Sequence, residues 1–130
     1  MKSKKLLTAI MIAGIAALFA IPTGIAFSSG CSIVGTPNND RITGTSGVDG
    51  ICGLAGDDRI QTGDSSDFVD PGTGADRVAT GNGDDFIFLN PGDDNAKDML
   101  LCGEGYDTVY YIGDVDPDDV LKGCENIIDA

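Results

Sequence analysis

The chain has no histidine, and its 8 lysine and arginine residues face 21 aspartate and glutamate residues. Histidine is the side chain that most often acts as general acid or base. The sequence also contains neither the Gly-x-Ser-x-Gly turn of a serine nucleophile nor a phosphate-binding loop. Side-by-side aspartates leave a glycosidase pair open by residue type alone. The sequence therefore gives catalysis little support, and we expect no enzymatic activity and no enzyme substrate.

Basic residues and glutamates are both scarce. Three of the 8 basic residues lie among the first five positions, so the remainder has a net charge of 5 − 21 = −16. Nucleic acid and anionic membranes are poor partners for such a chain. Only two of the acidic residues are glutamates, whereas a disordered acidic tail usually has many. Aspartate combined with glycine is typical of turns, and short carboxylates in turns suit hard cations.

Residues 1–26 have the order of a secretory signal peptide. Lysines at positions 2, 4 and 5 precede an apolar run over residues 6–20, and Pro22 and small residues follow. We expect cleavage after Ala26 and an extracellular or cell-surface location. Two alternatives stay open: the apolar stretch is long enough for an uncleaved anchor, and Cys31 could carry a lipid.

Aspartates recur at intervals of nine residues, each preceded by glycines and followed two positions later by an apolar residue. The aspartates are Asp40, Asp49, Asp58, Asp67, Asp76, Asp85 and Asp94, and the apolar residues are Ile42, Ile51, Ile60, Val69, Val78, Ile87 and Ala96. A fixed short period indicates stacked repeats. Because glycine disfavours helix and strand interiors, each repeat predicts a turn followed by a short strand. Two repeats would make one coil of a solenoid, with two parallel sheets and the aliphatic side chains inside.

The repeat slips towards the C-terminus. Asp94 keeps the phase, but Ala96 is a weak core residue, and the next good match begins at Asp107, 13 residues after Asp94. Four residues are therefore inserted, and Asp98 with Leu100 is an alternative restart of the register. We expect one domain after the signal, with a lead-in strand at 27–34, the repeats at 35–112 and a closing segment at 113–130.

The closing segment contains acidic residues with the spacing of EF-hand ligands, namely Asp114, Asp116, Asp118 and Glu125. Asp119 occupies the position where an EF-hand requires glycine, and Pro117 stiffens the loop. We therefore expect an acidic turn here and no EF-hand.

The nonapeptide Gly-Gly-x-Gly-x-Asp-x-aliphatic-x resembles the hemolysin-type, or repeats-in-toxin, calcium-binding family. The resemblance covers residues 35 to about 109, and the best matches lie at 53–60, 72–78, 81–87 and 103–109. It implies an all-β fold, a parallel β-roll with Ca²⁺ between turns that stack on the same edge, 18 residues apart. The metal-binding residues that it implies are Asp40, Asp49, Asp58, Asp67, Asp76, Asp85, Asp94 and Asp107.

The chemistry of calcium agrees with this resemblance. Calcium takes about six to eight oxygen ligands, and glycines let successive carbonyl oxygens converge on one point. Three other interpretations stay open. One is a metal-free solenoid in which aspartates cap turns. Another is a solenoid that binds ice or polysaccharide, although the threonines form no regular ladder. The leading alternative is a module for a cell-surface or extracellular matrix partner, with the outward residues Arg59, Gln61, Arg77, Phe86 and Phe88 in contact.

Four cysteines in an exported chain favour disulfides. Zinc is the rival, but it would need four scattered thiolates without any histidine. We expect the pairs Cys31–Cys52 and Cys102–Cys124, because each pair brackets one end of the roll, where the repeat is weakest. Similar repeat proteins with a cysteine at each end of a short leading segment encourage the same pairing.

Overall fold

The computed structural model describes residues 31–89, 96–113 and 115–129, which form eleven short β-strands. The strands are β1 (Ile33–Val34), β2 (Arg41–Thr43), β3 (Gly50–Cys52), β4 (Arg59–Gly63), β5 (Phe68–Asp70), β6 (Arg77–Gly81), β7 (Phe86–Leu89), β8 (Met99–Leu101), β9 (Thr108–Tyr111), β10 (Val120–Lys122) and β11 (Asn126–Asp129). Within these ranges no helix is long and apolar enough to cross a membrane.

The strands alternate between two parallel sheets. The odd-numbered strands form a six-stranded sheet in the order β1-β3-β5-β7-β9-β11, called the odd sheet below. The even-numbered strands form a five-stranded sheet in the order β10-β8-β6-β4-β2, called the even sheet. Consecutive strands thus lie in opposite sheets, and the chain advances by one strand in each sheet per coil. The predicted parallel β-roll is confirmed, with about five turns.

The register of the strands fixes the core. Ile42 pairs with Ile60, and Ile60 pairs with Val78, at the predicted separation of eighteen residues. Most strands contribute one inward side chain to the narrow space between the sheets, and a few further buried residues complete the core. The buried core residues are Ile42, Ile51, Ile60, Val69, Val78, Ile87, Leu89, Leu100, Cys102, Val109 and Tyr111.

The predicted four-residue insertion lies between β7 and β8. Val78 pairs with Leu100 in the even sheet, and Ile87 pairs with Val109 in the odd sheet, both 22 residues apart. Leu100 is fully buried, whereas Ala96 is only partly buried and lies outside the strands. Placing Ala96 in the core position was therefore wrong, because the sheet register restarts at Leu100. Asp94 lies outside the described residues.

The sheets continue through the segment that we expected to close the chain. Strand β10 pairs with β8, and β11 pairs with β9, so both sheets gain a last strand there. Leu121 packs against the core, whereas Ile127 in the last strand of the odd sheet is 49% exposed. The final coil therefore covers the core incompletely.

Aromatic rings stack on the outer face of the odd sheet. The ring centroids of Phe68 and Phe86 are 5.3 Å apart, those of Phe86 and Tyr110 6.1 Å, and those of Phe88 and Tyr110 5.4 Å. Phe86 is only 8% exposed. Counting Phe86 among exposed partner-binding residues was therefore wrong, and Phe88 is only partly buried.

Candidate metal centre

An acidic residue ends each turn, directly before the strand that follows, and these residues stack along both edges of the roll. The backbone N–H of Asp40 donates to Oδ1 of Asp58 at 2.8 Å, and that of Asp58 donates to Oδ1 of Asp76 at 2.7 Å. On the other edge, the N–H of Asp49 donates to Oδ1 of Asp67 at 2.8 Å. Each carboxylate is thereby fixed by the backbone of the preceding coil.

This pattern defines two columns, each running along the length of the roll. The first column contains Asp40, Asp58, Asp76, Asp98 and Asp119, and the second contains Asp49, Asp67, Asp85, Asp107 and Glu125. Seven of the eight aspartates proposed from the sequence lie in these columns. The eighth, Asp94, lies outside the described residues.

Three members of the columns were missed or left aside by sequence reasoning, namely Asp98, Asp119 and Glu125. Asp98 follows Asp76 in the first column, with an N–H(Asp76)···Oδ1(Asp98) distance of 2.8 Å. Glu125 follows Asp107 in the second column, where its Oε2 accepts the N–H of Asp107 at 3.0 Å. A signal for Glu125 was present, because it lies eighteen residues after Asp107 and two before an isoleucine.

The acidic turn before β10 is confirmed as a local structure. Oδ1 of Asp116 accepts the N–H of Asp118 at 2.8 Å, and Oδ1 of Asp119 accepts the N–H of Asp98 at 2.9 Å. Glu125 accepts its hydrogen bond from the backbone N–H of Asp107, in the second column. Asp119 and Glu125 therefore belong to different columns.

Four column carboxylates hold an oxygen that no group in the described chain satisfies. Oδ2 of Asp58, Asp67, Asp85 and Asp107 is closed off from solvent and has no hydrogen-bond partner among the described residues. Buried polar groups in folded proteins are nearly always hydrogen-bonded, and an unpaired buried charge is very unfavourable. These oxygens therefore require either a proton or a cation.

The pKa values of these four carboxyls are raised by burial, which also indicates that their ionised form is unfavourable without a cation. Burial raises the pKa of Asp85 from 3.8 to about 7, opposed mainly by the hydrogen bond from the Asp67 backbone, while the charges of Asp107 and Asp67 add to the rise. The Thr80 hydroxyl also lowers the pKa of Asp85, but it donates its proton to the carbonyl oxygen of Cys102 at 2.6 Å. Burial likewise raises the pKa values of Asp58, Asp67 and Asp107. Burial thus shifts these four carboxyls towards the protonated form.

The first coil differs from those that follow. Oδ2 of Asp40 accepts the backbone N–H and the hydroxyl of Thr36, and Oδ2 of Asp49 accepts the same two groups of Thr45. Both carboxylates are satisfied within their own turn. These two carboxylates consequently have less need of a cation than the members of later coils.

Glycines leave a space beside the column carboxylates. A Cβ added at Gly53 would lie 2.2 Å from the carbonyl oxygen of Pro71 and 2.5 Å from Oδ2 of Asp58. The space that glycine keeps open is therefore bordered by a carbonyl oxygen and a carboxylate oxygen, the ligands that calcium prefers. No three carboxylate, thiolate or imidazole groups converge within the described ranges. A bound ion would thus combine few carboxylates with backbone carbonyls, and the residues present fit Ca²⁺.

Both expected disulfides are present. The Cα atoms of Cys31 and Cys52 are 5.7 Å apart, and those of Cys102 and Cys124 are 5.2 Å apart. No free cysteine is found in the described chain. The thiolate zinc site is therefore excluded, and each disulfide fixes one end of the roll.

Comparison with known protein families agrees with the geometry of the columns. The family model of the RTX calcium-binding nonapeptide repeat (4 copies) matches residues 32–60, 51–78 and 63–96, which together span 65 of the 130 residues. No curated protein and no solved structure matches the chain. The period of nine residues, the two parallel sheets and the paired aspartate columns all agree with this match. The chain belongs to the RTX calcium-binding nonapeptide repeat family.

Proposed function

We propose that this protein is an exported, non-enzymatic β-roll whose turns bind calcium ions, and that calcium drives its folding. The observation that carries the proposal is the set of buried carboxylate oxygens without hydrogen-bond partners. The residues that would hold the ions through these oxygens are Asp58, Asp67, Asp85 and Asp107. A calcium ion supplies the positive charge that these oxygens lack.

The proposal extends to the other predicted ligands on different grounds. Asp76 is included by its place in the first column, between Asp58 and Asp98. Asp40 and Asp49 would have to exchange hydrogen bonds within their own turns for the ion. Asp94 is included from the sequence repeat alone.

Calcium favours folding because it binds the stacked turns and not the unfolded chain. The expected mature chain has a charge of −16, and its columns bring carboxylates of neighbouring coils together. The resulting repulsion opposes every compact state. Ions between the turns cancel this repulsion, and ions in adjacent coils share a turn. Binding should therefore be cooperative, with an affinity on the order of 10⁻⁴–10⁻³ M per site, as in other extracellular modules.

A calcium titration of the mature chain with intact disulfides tests this proposal. Far-ultraviolet circular dichroism should change from a coil spectrum in chelator to a β spectrum in calcium. Magnesium serves as the matched control, and it should fail because it demands tighter octahedral geometry and gives up its water reluctantly. A full β spectrum in chelator that calcium leaves unchanged would refute calcium-driven folding.

The absence of catalysis is supported by what the side-by-side aspartates do. Oδ1 of Asp57 accepts the N–H of Ala75 at 3.0 Å, and Oδ1 of Asp84 accepts the N–H of Tyr106 at 2.8 Å. Both carboxylates hold one coil to the next. These pairs therefore have a structural explanation and need no catalytic one.

Export is supported by the order of residues 1–26 and by the two disulfides, which form in oxidising compartments. Mass spectrometry of the protein recovered outside the producing cells tests it. We expect a mature chain that begins at Phe27. Retention of Met1, or a lipid on Cys31, would contradict the proposed cleavage.

A further inference from the structure

The five basic residues outside the signal segment lie on one side of the roll. Arg41, Arg59 and Arg77 occupy the same register on β2, β4 and β6, at the start of each strand, and all three are exposed. We call these three residues the arginine ladder. Lys97 lies just before β8, and Lys122 is the last residue of β10, so both lie at the same sheet. A very acidic chain thus gathers its positive charge on the even sheet.

The charges of this face are not used within the described chain. None of the five basic side chains forms an ion pair or a hydrogen bond with any described residue, although the sequence contains 21 acidic residues. Exposed ion pairs contribute little to stability, and here even these are not formed. The arginine ladder therefore presents guanidinium groups that remain available to an external anion.

The arginine ladder has the geometry of a line. Neighbouring strands in a sheet lie about 4.8 Å apart, so the three arginines repeat at about that spacing along the roll. Arg59, Arg77 and Lys97 border a shallow hollow of about 460 Å³. A second hollow of about 260 Å³ continues the face towards Gln61 and Leu101. The ladder could follow a linear molecule that carries an anion at each short repeat.

The surroundings of the ladder select among anionic partners. Asp57, Asp58 and Asp76 border the same hollow as Arg59 and Arg77, on the side of the first column. A broad plane of anionic lipid would meet the exposed Asp57 carboxylate together with the arginines, whereas Asp58 and Asp76 are buried. A single extended chain can lie along the arginines alone, and the planar guanidinium fork matches sulfate and carboxylate groups.

We propose that the outer face of the even sheet binds a strand of acidic polysaccharide, laid along the arginine ladder with its sulfate or carboxylate groups on the guanidiniums. This gives the even sheet a function separate from the calcium-binding turns. The length of one sugar unit in an extended chain is close to the spacing of neighbouring strands. Met99 and Val120 continue the arginine register beyond Arg77, and Lys97 and Lys122 lie two residues to either side of it at the same sheet.

Binding of dextran sulfate, with neutral dextran of matched length, tests this proposal. The protein is first shown by circular dichroism to be folded in calcium, so that loss of folding is distinguished from loss of binding. The triple variant Arg41→Gln, Arg59→Gln, Arg77→Gln should bind dextran sulfate about ten- to a hundredfold more weakly, as three exposed charge contacts are lost. The triple variant with lysine at the same positions should keep most of the affinity.

A control variant with Thr43→Ala and Gln61→Ala changes the same face without changing its charge, and it should bind as the parent protein does. Affinity should also fall as salt is added, because exposed charges are screened. Equal binding of dextran and dextran sulfate, or full affinity in the glutamine variant, would overturn the proposal. Tighter ladder-dependent binding to phosphatidylserine vesicles or to single-stranded oligothymidine than to dextran sulfate would also overturn it.

Discussion

The substitution Asp85→Asn should have opposite effects on folding with and without calcium. In the chelated protein it removes a buried charge that lies in one column with Asp67 and Asp107. The asparagine can keep an oxygen to accept the N–H of Asp67, as Oδ1 of Asp85 does at 2.8 Å, and its amide can donate to the Thr80 hydroxyl oxygen. In calcium, the same change removes an ionised ligand of the proposed site.

The gain in chelator follows from the pKa. A rise from 3.8 to about 7 is equivalent to about 4 kcal/mol for a group shut off from solvent. Asp85 is itself buried, but its turn lies at the edge of the roll, so solvent beyond the turn screens part of this energy. We therefore expect Asp85→Asn to stabilise the calcium-free fold by about 1–2 kcal/mol at pH above 7.

The loss in calcium follows from mass action. At about 10 mM calcium and a dissociation constant on the order of 10⁻⁴–10⁻³ M, one site stabilises the fold by roughly 1.4–2.7 kcal/mol. Removing the charge of one ligand should forfeit most of that amount. The calcium midpoint of folding should then move to higher concentration, while the variant folds more easily in chelator.

The pH dependence gives this prediction a second readout. Because the pKa of Asp85 is raised in the folded state, its contribution to calcium-free stability is full below about pH 4 and is lost as the pH rises through 7. In chelator the parent protein should thus fold more readily at acid pH than at pH 8. Asp85→Asn should weaken this dependence.

Trimethylamine N-oxide makes the calcium-free measurement possible, because this osmolyte favours compact states. Circular dichroism would record the osmolyte midpoint in chelator and the calcium midpoint without osmolyte. Asp64→Asn is the matched control: it removes one exposed charge outside the columns, where Oδ1 accepts the Asn82 amide. A variant at Asp85 that folds less readily in both conditions, or that keeps the parent calcium midpoint, would refute the reasoning.

Three further predictions concern the roll itself. Val78→Asp should abolish the β spectrum in calcium, because Val78 is 1% exposed and a charge there has no partner. Gln61→Asp on the outer face should have a mild effect, and equal effects of the two changes would mean that the inner and outer faces are misassigned. Gly103→Ala should raise the calcium midpoint of folding, since the added Cβ would lie 2.0 Å from the carbonyl oxygen of Gly81 and the backbone φ is +89°. In Gly47→Ala the added Cβ meets nothing closer than 3.7 Å, so the midpoint should stay unchanged. A shifted midpoint in Gly47→Ala alone would contradict this. Reduction of the two disulfides, which close loops of 21 and 22 residues, should cost about 3 kcal/mol each, and an unchanged urea midpoint in calcium after reduction would argue against this loop-closure value.

The sequence alone determined the architecture of this protein. A period of nine residues carries both the turn and the strand, so it defines a coil of two strands and the face that each side chain takes. Ile60 and Val78 could be assigned to the core because alternate residues of a strand point to opposite sides of a sheet. The disulfides could be predicted because the cysteines bracket the two weak ends of the repeat.

Only the tertiary structure decided what happens where the repeat is interrupted. By sequence, either Asp94 or Asp98 could end the turn before the next strand. Hydrogen bonds between coils decide this, because the N–H of Asp76 donates to Asp98 and so places Asp98 after Asp76 in the first column. Glu125 joins the second column for the same reason, although its repeat lacks aspartate. The choice between Asp94 and Asp98 depends on the register between strands about twenty residues apart in the chain, which the local pattern leaves open, whereas the spacing of Glu125 from Asp107 was a signal in the sequence.

The convergence of the basic residues on one sheet is also a tertiary property. In the sequence, Arg41, Arg59 and Arg77 are isolated positive residues among many aspartates. Folding at eighteen residues per coil brings them to adjacent strands and one register. The aspartates that precede them turn into the edge column instead, because strand and turn positions of one repeat lie on different surfaces. The sequence thus sets the spacing, and stacking of the coils converts that spacing into a basic face and an acidic edge.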